Sequence, residues 1–500
     1  MRRFKPTDIY HPAGILAVGL VIAQIIATIE VYLSNLDLHR TLSTLYDAGY
    51  LTVPNVMVMG SLQNVWTAFW GGLFFTCSVG VGISLGSMAA GWIWSQLLGR
   101  NKFVLFIFLS IWGGLMLISN IRGLALFPTL YFLLIAPALF LLTVKWAAHS
   151  AVQPAGRLGW LHLFPIPLLA LLWFTQFDTE LFTDLRDNLL LTNNFGKKFN
   201  QFYYDYTLYP AEAFKSLDQK IIKTCRLEDI SDPGLKRKLE NRLLAYDYLP
   251  TSGTPRVDLK LAQQGDNLVF SAEARKILIV KMSQFWAKPQ ETLQQYSEET
   301  DRHGAFRQFT YLSLLIGFPV LTYTILHFAF YCLAALFLGK KKSAILASVL
   351  CLVIGVLMLV YFQANRSGNI RIESIPAALK SKNVFVRIAA LKSIRQKNLD
   401  VAAYRSYPNL LKSPHSQERY WLAVAMAAGR SQQTYQDLLK LLEDKDTNVR
   451  SMAFHSLGLR NNRQAVKPIL EKIRISHDWY AQLYAYRSLR SLGWKQKKLP

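Results

Sequence analysis

Five carboxylates within the stretch 178–205, Asp178, Glu180, Asp184, Asp187 and Asp205, are the residues here whose types suit acid/base chemistry. Such chemistry needs two carboxyls held at a defined separation with divergent proton affinities, and this spacing fixes no such pair. The sequence contains no nucleophile elbow, H-E-x-x-H helix, Walker loop or G-x-G-x-x-G turn. Cys225 lacks a neighbouring His that would make it a thiolate, and His303 stands without companions for a metal. The expectation is a chain with no catalytic residue, no metal site and no cofactor.

Binding is the chemistry the residues favour. FYYDYTLYP places Tyr203, Tyr204, Tyr206 and Tyr209 close to Lys197 and Lys198. Aromatic faces beside cations can take a glycan, a lipid headgroup or a protein partner, and the same rings can pack a core or an interfacial belt. In the tail Arg387, Arg419 and Arg450 recur at intervals of 32 and 31 residues, with Trp421 beside the second. Lys and Arg outnumber Asp and Glu by 25 to 9 over residues 363–500, against 19 to 19 over 176–307. A tail of net charge +16 attracts acidic partners. Outside a membrane these are an acidic protein, an anionic lipid or a glycan. Nucleic acid enters only if the tail is cytoplasmic.

The elements that must position these groups begin with the membrane. At 52% hydrophobic, with apolar runs near 12–33, 65–94, 103–119, 124–144, 158–176, 309–338 and 343–362, the chain reads as a polytopic protein of about seven spans. The first run is too long and lacks the cleavage site of a signal peptide, so it reads as a retained anchor. Basic residues resist translocation. A cytoplasmic N-terminus gathers Arg2, Arg3, Lys5, Arg100, Lys102, Lys145, Arg157, Lys340, Lys341 and Lys342 on one side, leaving Arg40 and Arg122 in the opposite short loops. An odd span count then delivers 177–307 and 363–500 to the outer face, the periplasm of a bacterium with an inner membrane. The second span is interrupted by Gly71, Gly72, Gly80, Gly82, Gly86 and Gly91. Gly82 and Gly86 form a small-xxx-small pair suited to close helix packing, or mark a broken helix lining a path. Glu30, His162 and His327 are the titratable residues within or near the spans that stand out.

The polar segment 177–307 reads as a mixed α+β domain. A helix is expected from Pro210, another capped by Ser231 or Asp232 before Pro233, and a hairpin through Val257, Leu259 and Leu261 that turns at Gly265 and Asp266 into Leu268 and Phe270. ARKILIVKMSQFWAKPQETLQQYSEETDRH is expected to be helical. In the tail, QTYQDLLKLLEDKDTNVRSMAFHSLG has one apolar face through Tyr435, Leu438, Leu439 and Leu442 and a second through Val449, Ala453 and Leu457. Such a hairpin cannot bury its face alone, and it recurs about four times over 371–500.

The D-x-x-V-R-x-x-A-x-x-x-L-G core from Asp446 to Gly458 resembles the HEAT-like repeats of the phycobilisome-lyase type. The resemblance implies an α-solenoid of paired helices used for protein binding, in which the repeat arginines bridge to an acidic residue of the adjacent turn, such as Asp446 for Arg450. The second unit departs from the pattern, with Glu418 where Val is usual. Lyase activity is not implied, because this tail contains no cysteine.

The expected organisation is thus an N-terminal membrane region (1–176), an extracytoplasmic α+β domain (177–307), two further spans (308–362) and a solenoid (371–500). Arg387, Arg419, Arg450 and Trp421 are expected to bind an acidic protein, making the chain a membrane-anchored scaffold or assembly factor. A transporter or a lipid- or glycan-handling envelope component is the alternative.

Overall fold

Among the described residues six helices are long and apolar enough to cross a hydrocarbon core: Pro12–Asp47, Val65–Leu97, Lys102–Asn120, Leu126–Ala148, Gly304–Ala335 and Lys340–Asn365. The computed structural model describes residues 7–149, 164–176, 178, 181–251, 256–272, 275–366 and 370–497. Of the fifth expected span, 158–176, the apolar helix Pro165–Phe174 is described. The part before residue 164, with His162, lies outside the described residues.

Glycines set how closely the bundle packs. A Cβ on Gly80 would stand 2.5 Å from the Ala23 methyl, and one on Gly72 would stand 3.2 Å from Ala27, so the second long helix lies backbone to backbone on the first. A Cβ on Gly82 would instead stand 2.7 Å from Ser313 Cβ, whereas one on Gly86 would meet no atom within 4 Å. Of the glycines on the second helix, Gly72 and Gly80 are therefore the ones that face the first, with Gly82 serving a different neighbour. The second helix continues through a π-helical turn at Thr76–Gly80, where its widened backbone still packs.

The polar parts meet at one end of the bundle. Gln496, near the end of the described tail, bonds both the N–H and the carbonyl of Leu51, at 3.3 and 2.7 Å. Arg122 donates to the Asp301 carbonyl at 3.4 Å, and Arg366, closing the last long helix, reaches Asp184 at 3.3 Å. One contiguous apolar core runs from Ile26, Phe75 and Tyr131 in the bundle through Leu208 and Tyr209 to Leu422, Leu438 and Leu489 in the tail.

A second core belongs to a five-stranded sheet with strand order β2-β1-β3-β4-β5. Its strands are β1 (Lys223–Glu228), β2 (Tyr248–Pro250), β3 (Leu259–Gln264), β4 (Asn267–Ala272) and β5 (Arg275–Lys281). β1 pairs parallel with β2 and β3, and β3, β4 and β5 form an antiparallel meander. The expected hairpin is β3–β4. Asp232 caps the helix Pro233–Leu244 through a bond from the Gly234 N–H at 2.8 Å. The helix containing Pro210 is only Leu208–Ala213.

The expected helix from Ala274 begins instead as β5, and becomes helical at Met282–Ala287 and Pro289–Thr300. The run Ile277–Leu278–Ile279–Val280 suits a pleated surface, and pairing with β4 outweighs local helix preference. Lys276 and Lys281 on this edge strand guard against further pairing. Cys225 is fully buried in β1, and that burial pushes its thiol well above the usual range, leaving it unreactive.

Asp258 fastens β3 to β1. Its carboxylate accepts from Lys220 Nζ at 2.7 Å, the Thr224 N–H at 2.8 Å and Thr224 Oγ1 at 3.1 Å. Burial alone would raise this carboxyl, but the Lys220 charge and these hydrogen bonds outweigh it and hold Asp258 below its ordinary value. A carboxyl depressed in the folded state contributes stability above its unfolded value of about 4 and loses it as pH falls through the folded value. Asp258→Asn is expected to cost this domain roughly 2 kcal/mol at neutral pH and to flatten its loss of stability on the acid side. Hydrogen exchange of the β1 and β3 amides from pH 2 to 7 measures both effects; an unchanged acid limb would refute the assignment.

Candidate partner-binding site

The tail is built of four hairpins. Their first helices are Ile375–Ala378, Tyr407–Leu411, Gln432–Leu441 and Val466–Ile475; their second helices are Val384–Gln396, Ser416–Met426, Thr447–Leu459 and Trp479–Ser491. The second helices pack on one another in sequence order. Asn383, Asp446 and Asp478 cap three of them, accepting from the N–H groups of Phe385, Asn448 and Ala481.

The repeat arginines join neighbouring hairpins. Arg387 pairs with Glu418, Arg419 with Asp444 and Arg450 with Asp478, each acid lying in the following hairpin. Each guanidinium also donates to the carbonyl six residues before it: Arg387 to Ser381, Arg419 to Ser413 at 2.5 Å, and Arg450 to Asp444 at 2.6 Å. The expected partner of Arg450, Asp446, is instead occupied with capping its own helix. The acid one repeat ahead lies within reach because the stacking of second helices brings successive turns side by side. Glu418, which departs from the repeat pattern, is the acid that receives Arg387.

The series has a fourth rung that the arginine spacing does not announce. Gln482 stands 32 residues after Arg450 and likewise donates to the carbonyl six residues back, Ser476, at 2.7 Å. Where the arginine rungs meet the next hairpin, its Oε1 accepts the Asn55 N–H at 2.8 Å, from the loop after the first long helix. Asn55 Nδ2 then donates to the carbonyls of Ile473, Arg474 and Ser476 at 2.8, 3.0 and 3.0 Å. Its Oδ1 accepts from Met57 and Val58. The loop thus occupies the place of a next repeat and satisfies carbonyls at the end of a helix.

The segment 181–206 lies along the second helices. Asp184 is buried and takes Lys392 Nζ at 2.8 Å. Asp187, also buried, accepts from Trp421 Nε1 at 2.8 Å and from Arg186 Nε at 2.8 Å. The Arg186 guanidinium stacks 4.0 Å from the Tyr420 ring. The surface expected to meet an acidic partner through Trp421 therefore holds the chain's own acidic stretch, the one whose carboxylates suggested acid/base work. Oppositely charged stretches, one acidic near 178–187 and one basic in the tail, were the signal in the sequence.

The tyrosine cluster does not converge on one point. Tyr204 packs edge-on to Tyr480 at 4.7 Å, Tyr209 is buried against Trp479 at 5.1 Å, and Tyr206 lies 6.4 Å from Trp70. Tyr203, Lys197 and Lys198 are exposed. Between the helix Asn194–Tyr206 and the turns of the last two hairpins runs a cleft of about 540 Å³, lined among others by Gln201, Asp205, Lys445, Arg450, Lys472 and Asp478. Burial, with the charge of Asp478 adding, pushes the Asp205 carboxyl up against the hydrogen bond from Gln201. The lining mixes both signs of charge, so it suits a polar chain segment better than a polyanion.

The family model of HEAT repeats matches residues 408–490. The tail carries HEAT repeats. The matched residues take in most of the second hairpin and the two after it, less than a fifth of the chain. Neither a curated protein nor a solved structure matches. HEAT repeats generally mediate protein–protein interaction, and here the HEAT second helices already hold residues 181–206 of the same chain. Among the described residues no three His, Cys, Asp or Glu side chains gather to hold a metal.

Proposed function

We propose that this chain is a membrane-anchored scaffold or assembly factor whose HEAT solenoid docks an acidic protein partner at the extracytoplasmic face of a bacterial inner membrane. The observation that carries this reading is the sorting of charge in the tail. Its acids are turned inward: Glu418, Asp444 and Asp478 pair with the repeat arginines, and Asp437 receives the buried Tyr407 hydroxyl. The exposed surface of 370–497 is left with fifteen Lys and Arg against three Asp and Glu. Such a field steers acidic partners and sets their orientation.

The orientation rests on Arg100, Lys102, Lys340, Lys341 and Lys342 lying at the bundle ends away from the polar parts. Seven crossings, with Pro165–Phe174 part of one, bring the loop after the first helix, the α+β domain and the solenoid to the same side. Alkaline phosphatase fused after Pro500 is expected to be active and a fluorescent protein after Lys342 to glow. The docking itself is tested by photocrosslinking from Lys412 and Arg430 in cells. Charge reversal of Lys380, Lys412 and Lys445 should abolish the crosslinked product; a product that survives reversal and high salt overturns the reading.

One observation favours the transport or lipid-handling alternative. Glu30 Oε2, both amide atoms of Asn35 and the Tyr131 hydroxyl are buried without a hydrogen-bond partner among the described residues. If Glu30→Gln abolished the cellular phenotype with partner docking intact, that alternative would gain the stronger claim.

A further inference from the structure

The helix Asn194–Tyr206 presents three distinct faces. One turns inward: Gly196, where a Cβ would collide with the Leu190 carbonyl, Asn200, which is buried, and Tyr204, which meets Tyr480 of the HEAT solenoid. A second carries Gln201 and Asp205 into the polar cleft. The third is a stripe of Phe195, Phe199, Phe202 and Tyr206, at helical spacings of four, three and four residues. Phe195 is 82% and Phe199 47% exposed, although a polar surface would be the cheaper choice for a helix bathed in water.

This stripe continues the surface of the second long helix where that helix begins. Phe202 packs on Trp70 at 6.0 Å and against Tyr206 at 4.9 Å. Trp66 and Trp70 are themselves 64% and 40% exposed. Immediately after the stripe, Pro210 sits so close to Gly71 that an added Cβ there would stand 3.0 Å from its ring, which fixes the stripe at this level of the bundle. Lys198 borders the aromatic face and Lys197 lies farther round. Tryptophans at the start of a span, tyrosines and phenylalanines on an adjoining amphipathic helix, and a flanking lysine are the chemistry of the boundary between headgroups and acyl chains.

We propose that the helix Asn194–Tyr206 lies in the plane of the membrane, with Phe195 and Phe199 immersed at the headgroup–acyl boundary. The proposal rests on the membrane-spanning reading and goes beyond it, because it assigns lipid contact to a segment too polar and too short to span. The fourth HEAT hairpin, seated on the opposite side of this helix through Tyr204 and Tyr480, then takes its height above the bilayer from lipid as well as from protein.

The full chain in phospholipid nanodiscs tests this. Its four cysteines are replaced by alanine and nitroxides attached singly at positions 195, 199, 201 and 117, the last exposed on Lys102–Asn120. Collision with molecular oxygen, which partitions into lipid, is compared with collision with a water-soluble nickel chelate. Positions 195 and 199 are expected to favour oxygen severalfold, as position 117 does, and position 201 to show the reverse. If 195 and 199 behave like 201 while 117 stays lipid-like, the inference fails and the membrane reading stands. Shielding of 195 and 199 from both probes would overturn it in favour of a protein cover. An aqueous signal at 117 would bring down both.

Discussion

Asp444→Ala is expected to destabilise the HEAT solenoid by about 3–5 kcal/mol, because it leaves a buried cation without its counter-charge. Asp444 takes Arg419 in a two-point bond, Nε at 2.6 Å and Nη2 at 2.9 Å, and both side chains are almost fully covered. The pair itself contributes less than this loss suggests, since bringing two charges out of water offsets much of their attraction. The double variant Arg419→Met, Asp444→Leu is therefore expected to recover most of the lost stability. Chemical denaturation of the full chain, followed by hydrogen exchange in 407–459, measures both. A double variant as unstable as the single one would show that the ladder serves more than charge balance.

Asn55→Leu is expected to loosen the far end of the solenoid while sparing the near end. It removes the side-chain donor to the carbonyls of Ile473 and Arg474 and one of the two to that of Ser476, which keeps Gln482. Each buried carbonyl left without a partner costs about 1–3 kcal/mol. The leucine also ends the capping of Met57 and Val58. Exchange protection should fall across 466–491 and protease should enter the loop 51–59, with Val384–Gln396 unaffected. Equal protection in variant and parent would mean that apolar contacts such as Tyr209 on Trp479 hold this end unaided.

The solenoid was legible because its information is local. A helical period, a polar break and an arginine recur within some thirty residues, and the Asp446–Gly458 core belongs to a HEAT unit. Asp446 is the neighbour of Arg450 along its own helix, but the acid that Arg450 meets, Asp478, lies across the stack, which the linear sequence does not display. The sheet was half legible. β3 alternates Leu259 and Leu261 with Lys260 before the turn at Gly265 and Asp266, and β4 answers it with the apolar run Leu268–Val269–Phe270, whereas β1, K-T-C-R-L-E, alternates only over Cys225–Glu228, too short a stretch to announce a strand without what pairs with it on either side. β2 is three residues long, too short for any period. Asn55 carried no signal, since a single amide in a loop acquires meaning only from carbonyls more than four hundred residues away. Asp184 and Asp187 stand out in the sequence as carboxylates, but their seat on Lys392 and Trp421 depends on a fold that joins distant segments.

The Gln482 rung has a consequence for how this protein can change. Its array is rooted in the bundle twice, at Arg366 before the first hairpin and at Asn55 beyond the last. Adding or deleting one hairpin would alter the distance between these moorings by about 10 Å, the separation of two packed helices. Free-standing repeat arrays grow and shrink by duplication, but this one has its tally set by the width of the helical bundle on which it stands.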